Sequence, residues 1–462
     1  MQHNIKLYNT LSRTVEDFTP ITPGKVSIYS CGPTVYHYAQ IGNLRSYVFA
    51  DIIHRIFEYT GYDVKHIINV TDIGHLVTDG DDGEDKMTKA LKREGKPLTL
   101  EAMREVANFY FEKFKEDCDA LNIRSATHYP FASDHIQEDI GLVTALLEKG
   151  YGYSTSDGIY FDTSKFTHYP DLAKLDIEGL KSGARVETNA EKRNSTDFAL
   201  WKFNGDLGYE APFGKGFPGW HIECSAMSMK YLGNHFDIHT GGIDHIPVHH
   251  TNEIAQSEAA TGEKYVNYWM HNNFLNDASG KMSKSKGEFL RLQSVIDEGI
   301  SPLAYRYYLL TTHYRKEIEF SFEALKAAAI AYEKFVVFAE ENSGTKGEIH
   351  EHYKKLFDEA LFDDLGTPQG IAVIWNMMKD TEVSNEDKYA TLMKADEVLG
   401  LNLKHAHKKI IEIPDEVRKL LDERKVARAN KNFAQSDELR DMIYALGFEV
   451  KDSSEGQSVN KI

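Results

Sequence analysis

A strand, a helix and a second strand follow one another within residues 25–70, and this order constrains the fold more than any other feature of the chain. Residues Lys25–Tyr29 are β-prone and end at the turn-forming run Cys31-Gly32-Pro33. A helix is predicted from about Leu44 to Thr60, because apolar residues recur there at three- and four-residue spacings. Residues Val64–Val70 form a second predicted strand. Such a unit is the building block of a doubly wound sheet, so we predict an α/β fold with a Rossmann-type parallel sheet.

The 462 residues exceed what one ordinary domain of about 100–200 residues needs, so several domains are expected. Short strand-like segments predict a loop-rich insertion in the Rossmann domain, and helical spacing after Pro302 predicts a helical bundle. The predicted order is a first Rossmann half (1–120), an insertion (121–213), a second Rossmann half (214–301), the helical bundle (302–403) and a small C-terminal domain (404–462).

Composition narrows the class of protein. No apolar run approaches the ~20 residues of a membrane helix, the start lacks the apolar segment of a secretory signal, and three cysteines cannot form a disulfide framework. We therefore expect a cytoplasmic protein that does not enter a membrane. The net charge of −18 disfavours a nucleic-acid partner for the chain as a whole. The charge balance of residues 404–462 is different, because this segment contains 12 Lys and Arg residues and 11 Asp and Glu residues.

Residues typical of metal ligands recur at separate places in the chain. His249 and Glu253 are spaced so that one face of a helix would carry both, and Cys224 and Cys31 are further candidates. A mixed set of thiolate, imidazole and carboxylate suits zinc better than calcium or magnesium. The alternative is that both cysteines are buried small hydrophobic residues and the histidines bind no metal. His250 is adjacent to His249, and spacing alone does not decide between them.

Two segments suggest a bound nucleotide. Residues Gln40-Ile41-Gly42-Asn43 lead into the predicted helix, where free backbone N–H groups would face an anion and Gly42 would allow close approach. Residues Lys281–Gly287 are rich in Gly, Ser and Lys, which suits the binding of a polyphosphate, although they do not match a Walker A loop. Taken singly, the first segment is equally consistent with a chance turn and the second with a solvated surface.

In combination these motifs resemble the cysteinyl-tRNA synthetase family of the class I aminoacyl-tRNA synthetases, over essentially the whole chain. The resemblance is carried by segments in the family's order: 31–36, 69–72, 197–202, 220–224, 237–239, 249–253 and 281–285.

The resemblance implies the roles of particular residues. It implies one zinc ion on Cys31, Cys224, His249 and Glu253. It implies a cysteine pocket lined by Gly32, Thr34, Thr71, Trp220 and Asp244. It implies an ATP site of Gln40, Gly42, Asn43, Lys281, Ser283 and Lys284, of which Gln40, Asn43, Lys281 and Lys284 are catalytic. Gln40 and Asn43 stand where the family signature His-Ile-Gly-His has histidines, and these neutral donors cannot become cationic.

The resemblance also implies a reaction. L-cysteine and ATP, with Mg²⁺, would give cysteinyl-adenylate, and cysteine would then pass to the 3′ end of tRNA(Cys). The helical bundle would bind the tRNA and the C-terminal domain would bind its anticodon region. We expect the enzyme to be a monomer. Two alternatives are a ligase that joins cysteine to an amino sugar, as in mycothiol synthesis, and a non-catalytic zinc- or nucleotide-binding relative.

A basic helix in the C-terminal domain is the predicted contact with the tRNA backbone. Its cations are Arg418, Lys419, Arg424, Lys425, Arg428 and Lys431.

Overall fold

The computed structural model of the protein describes residues 4–73, 86–169, 171–174, 191–277, 290–405, 414–453 and 456–461. The chain forms two compact units, Met1–Lys404 and His405–Ile462. Of the described helices, none is long and apolar enough to cross a membrane.

The first unit combines helices with short strands. Its strands are β1 (Lys6–Asn9), β2 (Thr14–Asp17), β3 (Lys25–Ser30), β4 (Asp63–Ile68), β5 (Gly152–Ser154), β6 (Gly158–Phe161), β7 (Phe198–Phe203), β8 (Gly216–Pro218), β9 (Phe236–Gly242), β10 (Val266–Asn272), β11 (Leu275–Asp277) and β12 (Ile318–Phe320). Its helices are α1 (Ile41–Tyr59), α2 (Lys86–Arg93), α3 (Leu100–Ala120), α4 (Ile136–Glu148), α5 (Trp220–Leu232), α6 (Thr251–Thr261), α7 (Leu292–Asp297), α8 (Pro302–Leu310), α9 (Phe322–Glu341), α10 (Glu351–Phe362), α11 (Thr367–Lys379) and α12 (Asn385–Leu399).

A four-stranded parallel sheet in the order β10-β9-β3-β4 is the centre of the first unit. Its strands are apolar and buried, with Val26, Ile28 and Ile238 each at most 1% exposed. Continuous apolar runs are typical of parallel strands that are covered on both faces. The predicted α/β fold with a parallel sheet is confirmed.

Helix α1 begins at Ile41, three residues before the start predicted from apolar spacing. The reason is a local cap, because the side-chain oxygen of Asn43 accepts the backbone N–H of Gln40 at 3.3 Å. Gly42 and Asn43 therefore lie in the first turn of the helix. The helix ends at Tyr59, and Gly61 (φ +87°) takes the left-handed backbone that follows many helices.

The segment between the two halves of the parallel sheet carries a second sheet. Strands β5 to β8 pair antiparallel in chain order, which confirms the short strand-like segments expected in this part of the chain. After Pro302 the chain is mostly helical, as predicted, but β12 pairs with β11. Three residues with alternating burial are too few to be recognised within a helical pattern.

The second unit contains α13 (Asp415–Ala429), α14 (Phe433–Ala445) and the antiparallel hairpin β13 (Phe448–Ser453) and β14 (Gly456–Lys461). Its core includes Val417, Ile443 and Phe448. Helix α13 starts directly after Pro414, whose fixed φ suits the start of a helix. The predicted role of Arg424 in RNA contact is wrong, because its side chain is 1% exposed and donates to Gln457 Oε1 at 3.0 Å.

A buried ion cluster joins α1 to the helices after the Rossmann domain. Asp51 Oδ2 accepts Arg55 Nε at 2.7 Å and Arg306 Nη2 at 2.5 Å, and Asp51 Oδ1 accepts the backbone N–H of Arg124. Arg306, from α8, is fully buried and also donates to the carbonyl oxygen of Leu399. Burial alone would raise the pKa of Asp51, but Arg306 and Arg55 hold it below its ordinary value. The ionised carboxylate therefore contributes fully to the free energy of unfolding at neutral pH. That contribution is lost as the pH falls through the lowered pKa.

We expect Asp51→Ala to lower the free energy of unfolding by about 3–5 kcal/mol, because two buried guanidinium groups lose their counter-charge. The shift of the chemical denaturation midpoint at pH 7 measures this loss. Asp63→Ala is the control, since Asp63 is 77% exposed and pairs with Lys25 at 3.9 Å. That exposed pair should contribute less than about 1 kcal/mol. Equal shifts for the two variants would contradict a structural role for the cluster.

Candidate functional site

A cavity of about 420 Å³ opens where the strands of the parallel sheet end. Of the predicted site residues, it is lined by Cys31, Gly32, Thr34, Gln40, Gly42, Asn43, Thr71, Trp220, Cys224, Asp244 and His249. The carboxyl ends of parallel strands are where α/β folds bind ligands. The structure therefore brings together residues that the sequence predicted for three different roles.

Four possible metal ligands meet beside this cavity. The ligand atoms of Cys31, Cys224, His249 and Glu253 all lie within 4.8 Å of one another. Cys31 follows β3, Cys224 lies in α5, and a continuous helical stretch from residue 246 to α6 carries the other two. His249 Nε2 is 3.0 Å from Glu253 Oε1, as expected for residues on one face of a helix.

A second group shares two of these residues. Cys31, His239, His250 and Glu253 also place their ligand atoms within 4.8 Å of one another. His239 Nε2 is 2.9 Å from Glu253 Oε2, and His250 Nε2 is 3.1 Å from Cys31 Sγ. Geometry alone therefore admits either histidine of the adjacent pair as a ligand.

The chemistry of this cluster fits a bound cation. Glu253 is 0% exposed, and its two oxygens lie 3.0 Å from His249 Nε2 and 2.9 Å from His239 Nε2. Burial alone would raise the pKa of Glu253, but His239 and His249 hold it well below its ordinary value. A buried carboxylate, a buried imidazole and two thiols form a donor set for a metal ion.

Neighbouring groups in the cluster shift one another's pKa values. Burial would lower the pKa of His249, but the charges of Glu253 and Cys224 raise it to about 10. A hydrogen bond with Cys31 lowers the pKa of Cys224, whereas burial raises that of Cys31. Without a metal, the cluster therefore favours the thiolate form of one of the two cysteines. A bound cation would stabilise more negative charge on these ligands.

Gly32 and Thr71 are fixed by Asn69. Asn69 Oδ1 accepts the backbone N–H of Gly32 at 2.8 Å, and Asn69 Nδ2 donates to Thr71 Oγ1 at 3.3 Å. A Cβ atom at residue 32 would clash with the carbonyl oxygen of Asn69, so only glycine fits. These contacts tie the end of β3 to the segment after β4.

Trp220 forms another wall of the cavity. Its ring centroid lies 4.4 Å from that of His249, with the ring planes at 33°. Asp244 is more open, with 54% of its side chain exposed and Oδ2 3.9 Å from His245 Nε2. A flat ring and an accessible carboxylate can together bind a small molecule that carries an amine.

The start of α1 also lines the cavity. The backbone N–H of Ile41 is bonded to the carbonyl oxygen of Leu290 at 2.9 Å, while Gln40, Gly42 and Asn43 line the cavity. The amino end of this helix can bind an anion. The predicted ATP-site residues Lys281, Ser283 and Lys284 lie outside the described residues.

The supporting histidines were missed by sequence reasoning. His250 Nδ1 is 2.7 Å from His271 Nε2, and His249 Nδ1 is 2.9 Å from His221 Nδ1. Such partners orient the rings of ligating histidines. The available signal was the density of histidines, since five occur between residues 235 and 250.

Two family models match the chain. Residues 17–330 match the tRNA synthetases class I (C) catalytic domain, and residues 412–459 match the cysteinyl-tRNA ligase anticodon binding domain.

The chain is similar to whole proteins of the same kind. Cysteine–tRNA ligase 1 of Burkholderia lata is 47% identical over 460 residues, which cover 98% of this chain and 96% of that protein. The cysteine–tRNA ligase of Treponema denticola is 43% identical, and the match covers 98% of each chain. The solved structure of Mycobacterium tuberculosis methionyl-tRNA synthetase with methionyl-adenylate has a TM-score of 0.56 at 15% identity, covering 82% of this chain and 90% of that one. At that identity the likeness concerns the fold alone.

Proposed function

The chain belongs to the cysteine–tRNA ligase family of the class I tRNA synthetases, and we propose on that premise that it activates L-cysteine with ATP and attaches it to the 3′ end of tRNA(Cys). The observation that carries the proposal is the thiol, imidazole and carboxylate cluster beside the cavity where α1 begins. The match of residues 412–459 to an anticodon binding domain disfavours the amino-sugar ligase, which reads no anticodon.

The proposed metal is one zinc ion per chain, held by Cys31, Cys224, His249 and Glu253. The soft donor set supports zinc over calcium or magnesium. His239 Nε2 approaches Glu253 Oε2, which leaves Oε1 to face His249, and this division supports His239 as a positioning residue. When bound, zinc favours the thiolate of cysteine over the less acidic hydroxyl of serine.

The cysteine pocket is proposed to hold the rest of the amino acid. Thr71 and Gly32 are fixed through Asn69 and shape the floor of the pocket. Trp220 covers one side of this pocket and would exclude water from the bound amino acid. The exposed carboxylate of Asp244 is suited to pair with the substrate ammonium group. This arrangement would point the substrate carboxylate away from the metal cluster.

The first step needs alignment and charge stabilisation more than covalent catalysis. The cysteine carboxylate attacks the α-phosphate of ATP, and pyrophosphate leaves with Mg²⁺. We propose that Gln40, Gly42 and Asn43 at the start of α1 bind ATP with Lys281, Ser283 and Lys284. In the second step a ribose hydroxyl at the tRNA 3′ end attacks the carbonyl carbon, and AMP leaves.

The domain roles follow the same proposal. Residues 1–120 and 214–301 form the catalytic domain, with the insertion at 121–213, while 302–403 bind the tRNA and 404–462 its anticodon region. The exposed side chains of Arg418, Lys419 and Lys425 on α13 support an RNA contact. We propose a cytoplasmic monomer.

Two assays on the purified protein test the function. Cysteine-dependent exchange of pyrophosphate into ATP separates an enzyme from a non-catalytic relative. Charging of tRNA(Cys) with labelled cysteine then separates a synthetase from an amino-sugar ligase. We expect both activities. Exchange without charging would contradict the proposal, and so would the absence of both.

A further inference from the structure

One buried arginine of helix α1 has no role in the chemistry described above. Arg45 is 3% exposed and lies two residues after Asn43 in α1. Each of its hydrogen bonds to the described residues goes to a backbone carbonyl oxygen. Burial lowers the pKa of Arg45 to about 10, so the guanidinium group is still charged at neutral pH.

The three carbonyl oxygens belong to two segments that lie beside α1. Arg45 Nη1 donates to the carbonyl oxygen of Phe274, and Nη2 donates to those of Tyr314 at 3.3 Å and Lys316 at 2.5 Å. Phe274 directly precedes β11, and Lys316 lies two residues before β12. The planar guanidinium group, which carries several donors in a fixed geometry, therefore joins α1 to the start of both strands.

One of the two segments is a wall of the cavity. Asn272, Asn273, Phe274 and Leu275 all line the cavity. The carbonyl oxygen of Leu275 lies next to the start of α1, because a Cβ atom at residue 42 would be 3.9 Å from it. Gly42 is one of the residues proposed to bind ATP. This wall and the start of α1 therefore face the same part of the cavity.

The two strands have hydrogen bonds of their own that do not depend on Arg45. The carbonyl oxygen of Phe274 also accepts the backbone N–H of Ile318 at 3.0 Å. The carbonyl oxygen of Tyr314 also accepts the backbone N–H of Asn273 at 2.8 Å. Strands β11 and β12 are paired in parallel as well. The contribution of Arg45 is therefore a connection between this strand pair and α1.

We infer that Arg45 is a positioning residue for ATP, which holds residues 272–275 at the distance from the start of α1 that the nucleotide requires. The inference rests on the proposed function, in which Gln40, Gly42 and Asn43 bind ATP. A displacement of about 1 Å in a reaction site can lower the rate by up to about 100-fold, because the reacting groups lose their alignment. The proposed cysteine pocket is formed by other segments of the chain, so it should be affected much less.

Arg45→Met tests the inference in pyrophosphate exchange, because methionine keeps an apolar stem and removes the guanidinium group. The KM for ATP should rise about tenfold, whereas the KM for cysteine and the zinc content should stay within about twofold of wild type. A loss of folded protein would lower the rate without changing either KM. Arg45→Lys keeps the charge but can reach fewer carbonyl oxygens, so its KM for ATP should lie between those of wild type and Arg45→Met.

Arg55→Met is the matched control. Arg55 is a second buried arginine of α1, 4% exposed, and it also donates to backbone carbonyl oxygens, those of Glu397 and Asn122. It is not among the described residues that line the cavity. This variant should have a lower chemical denaturation midpoint, because buried hydrogen bonds are lost, but unchanged KM values for ATP and cysteine.

The outcomes are distinguishable. A folded Arg45→Met protein with the wild-type KM for ATP would overturn the inference, and so would equal rises of the KM values for ATP and cysteine. If Arg45→Met does not fold, Arg45→Lys decides the question: a rise in the KM for ATP alone supports the inference, and an unchanged KM overturns it. A wild-type protein without pyrophosphate exchange would instead refute the proposed function.

Discussion

Cys224→Ser should release the bound metal and lower kcat/KM for cysteine activation by more than about 100-fold, which exceeds the usual effect of changing a group that only supports a metal ligand. Cys224 is 2% exposed, and its Sγ belongs to a group whose ligand atoms lie within 4.8 Å of one another. A serine hydroxyl is a poor zinc ligand at neutral pH because it keeps its proton. Zinc content by mass spectrometry and pyrophosphate exchange measure the two effects on one sample.

Cys118→Ser is the matched control for this prediction. Cys118 lies in α3, is 6% exposed, and belongs to neither ligand group found among the described residues. The Cys118→Ser variant should keep its zinc and most of its cysteine-activation activity. Equal losses in both variants would mean that the effect comes from disturbing the core rather than from a metal ligand.

Lys284→Ala should lower kcat for cysteine activation by about 10²–10³-fold, because the positive charge that we propose stabilises the transition state is lost. The zinc content should not change, since the proposed zinc ligands and residues 281–287 are separate in the chain. Pre-steady-state formation of cysteinyl-adenylate measures the step directly.

Lys286→Ala is the matched control for Lys284→Ala, because it removes the same charge two residues beyond Lys284. Its kcat should stay within a few-fold of wild type. Similar losses of kcat in the two variants would indicate a general effect of charge. A Lys284→Ala variant with an unchanged kcat would show that Lys284 takes no part in the mechanism.

The parallel sheet could be predicted from sequence because its signal is local. Residues 25–70 contain two apolar strands and one helix at recognisable spacings, and the structure has all three. The start of α1 could not be predicted from periodicity, because Gly42 and Asn43 are polar or small and the helix is started by a cap at Gln40. Strand β12 is too short to interrupt the helical pattern of its neighbours.

The candidate site was predictable only in part. The spacing of His249 and Glu253 indicates a shared helix face, but nothing local places Cys31 beside them, since the contact arises from the folding of distant segments. Sequence also could not show that Arg424 is buried, because its neighbours on α13 are charged. The contact of His271 with His250 depends on the place of His271 in β10, next to β9 in the sheet.

Zinc removal from the wild-type protein decides whether a bound metal selects cysteine. We expect about one zinc ion per purified chain, loss of cysteine activation when a chelator removes it, and recovery when zinc is returned. Serine should remain a poor substrate throughout. A preparation without stoichiometric zinc that charges tRNA(Cys) at the full rate would contradict the account.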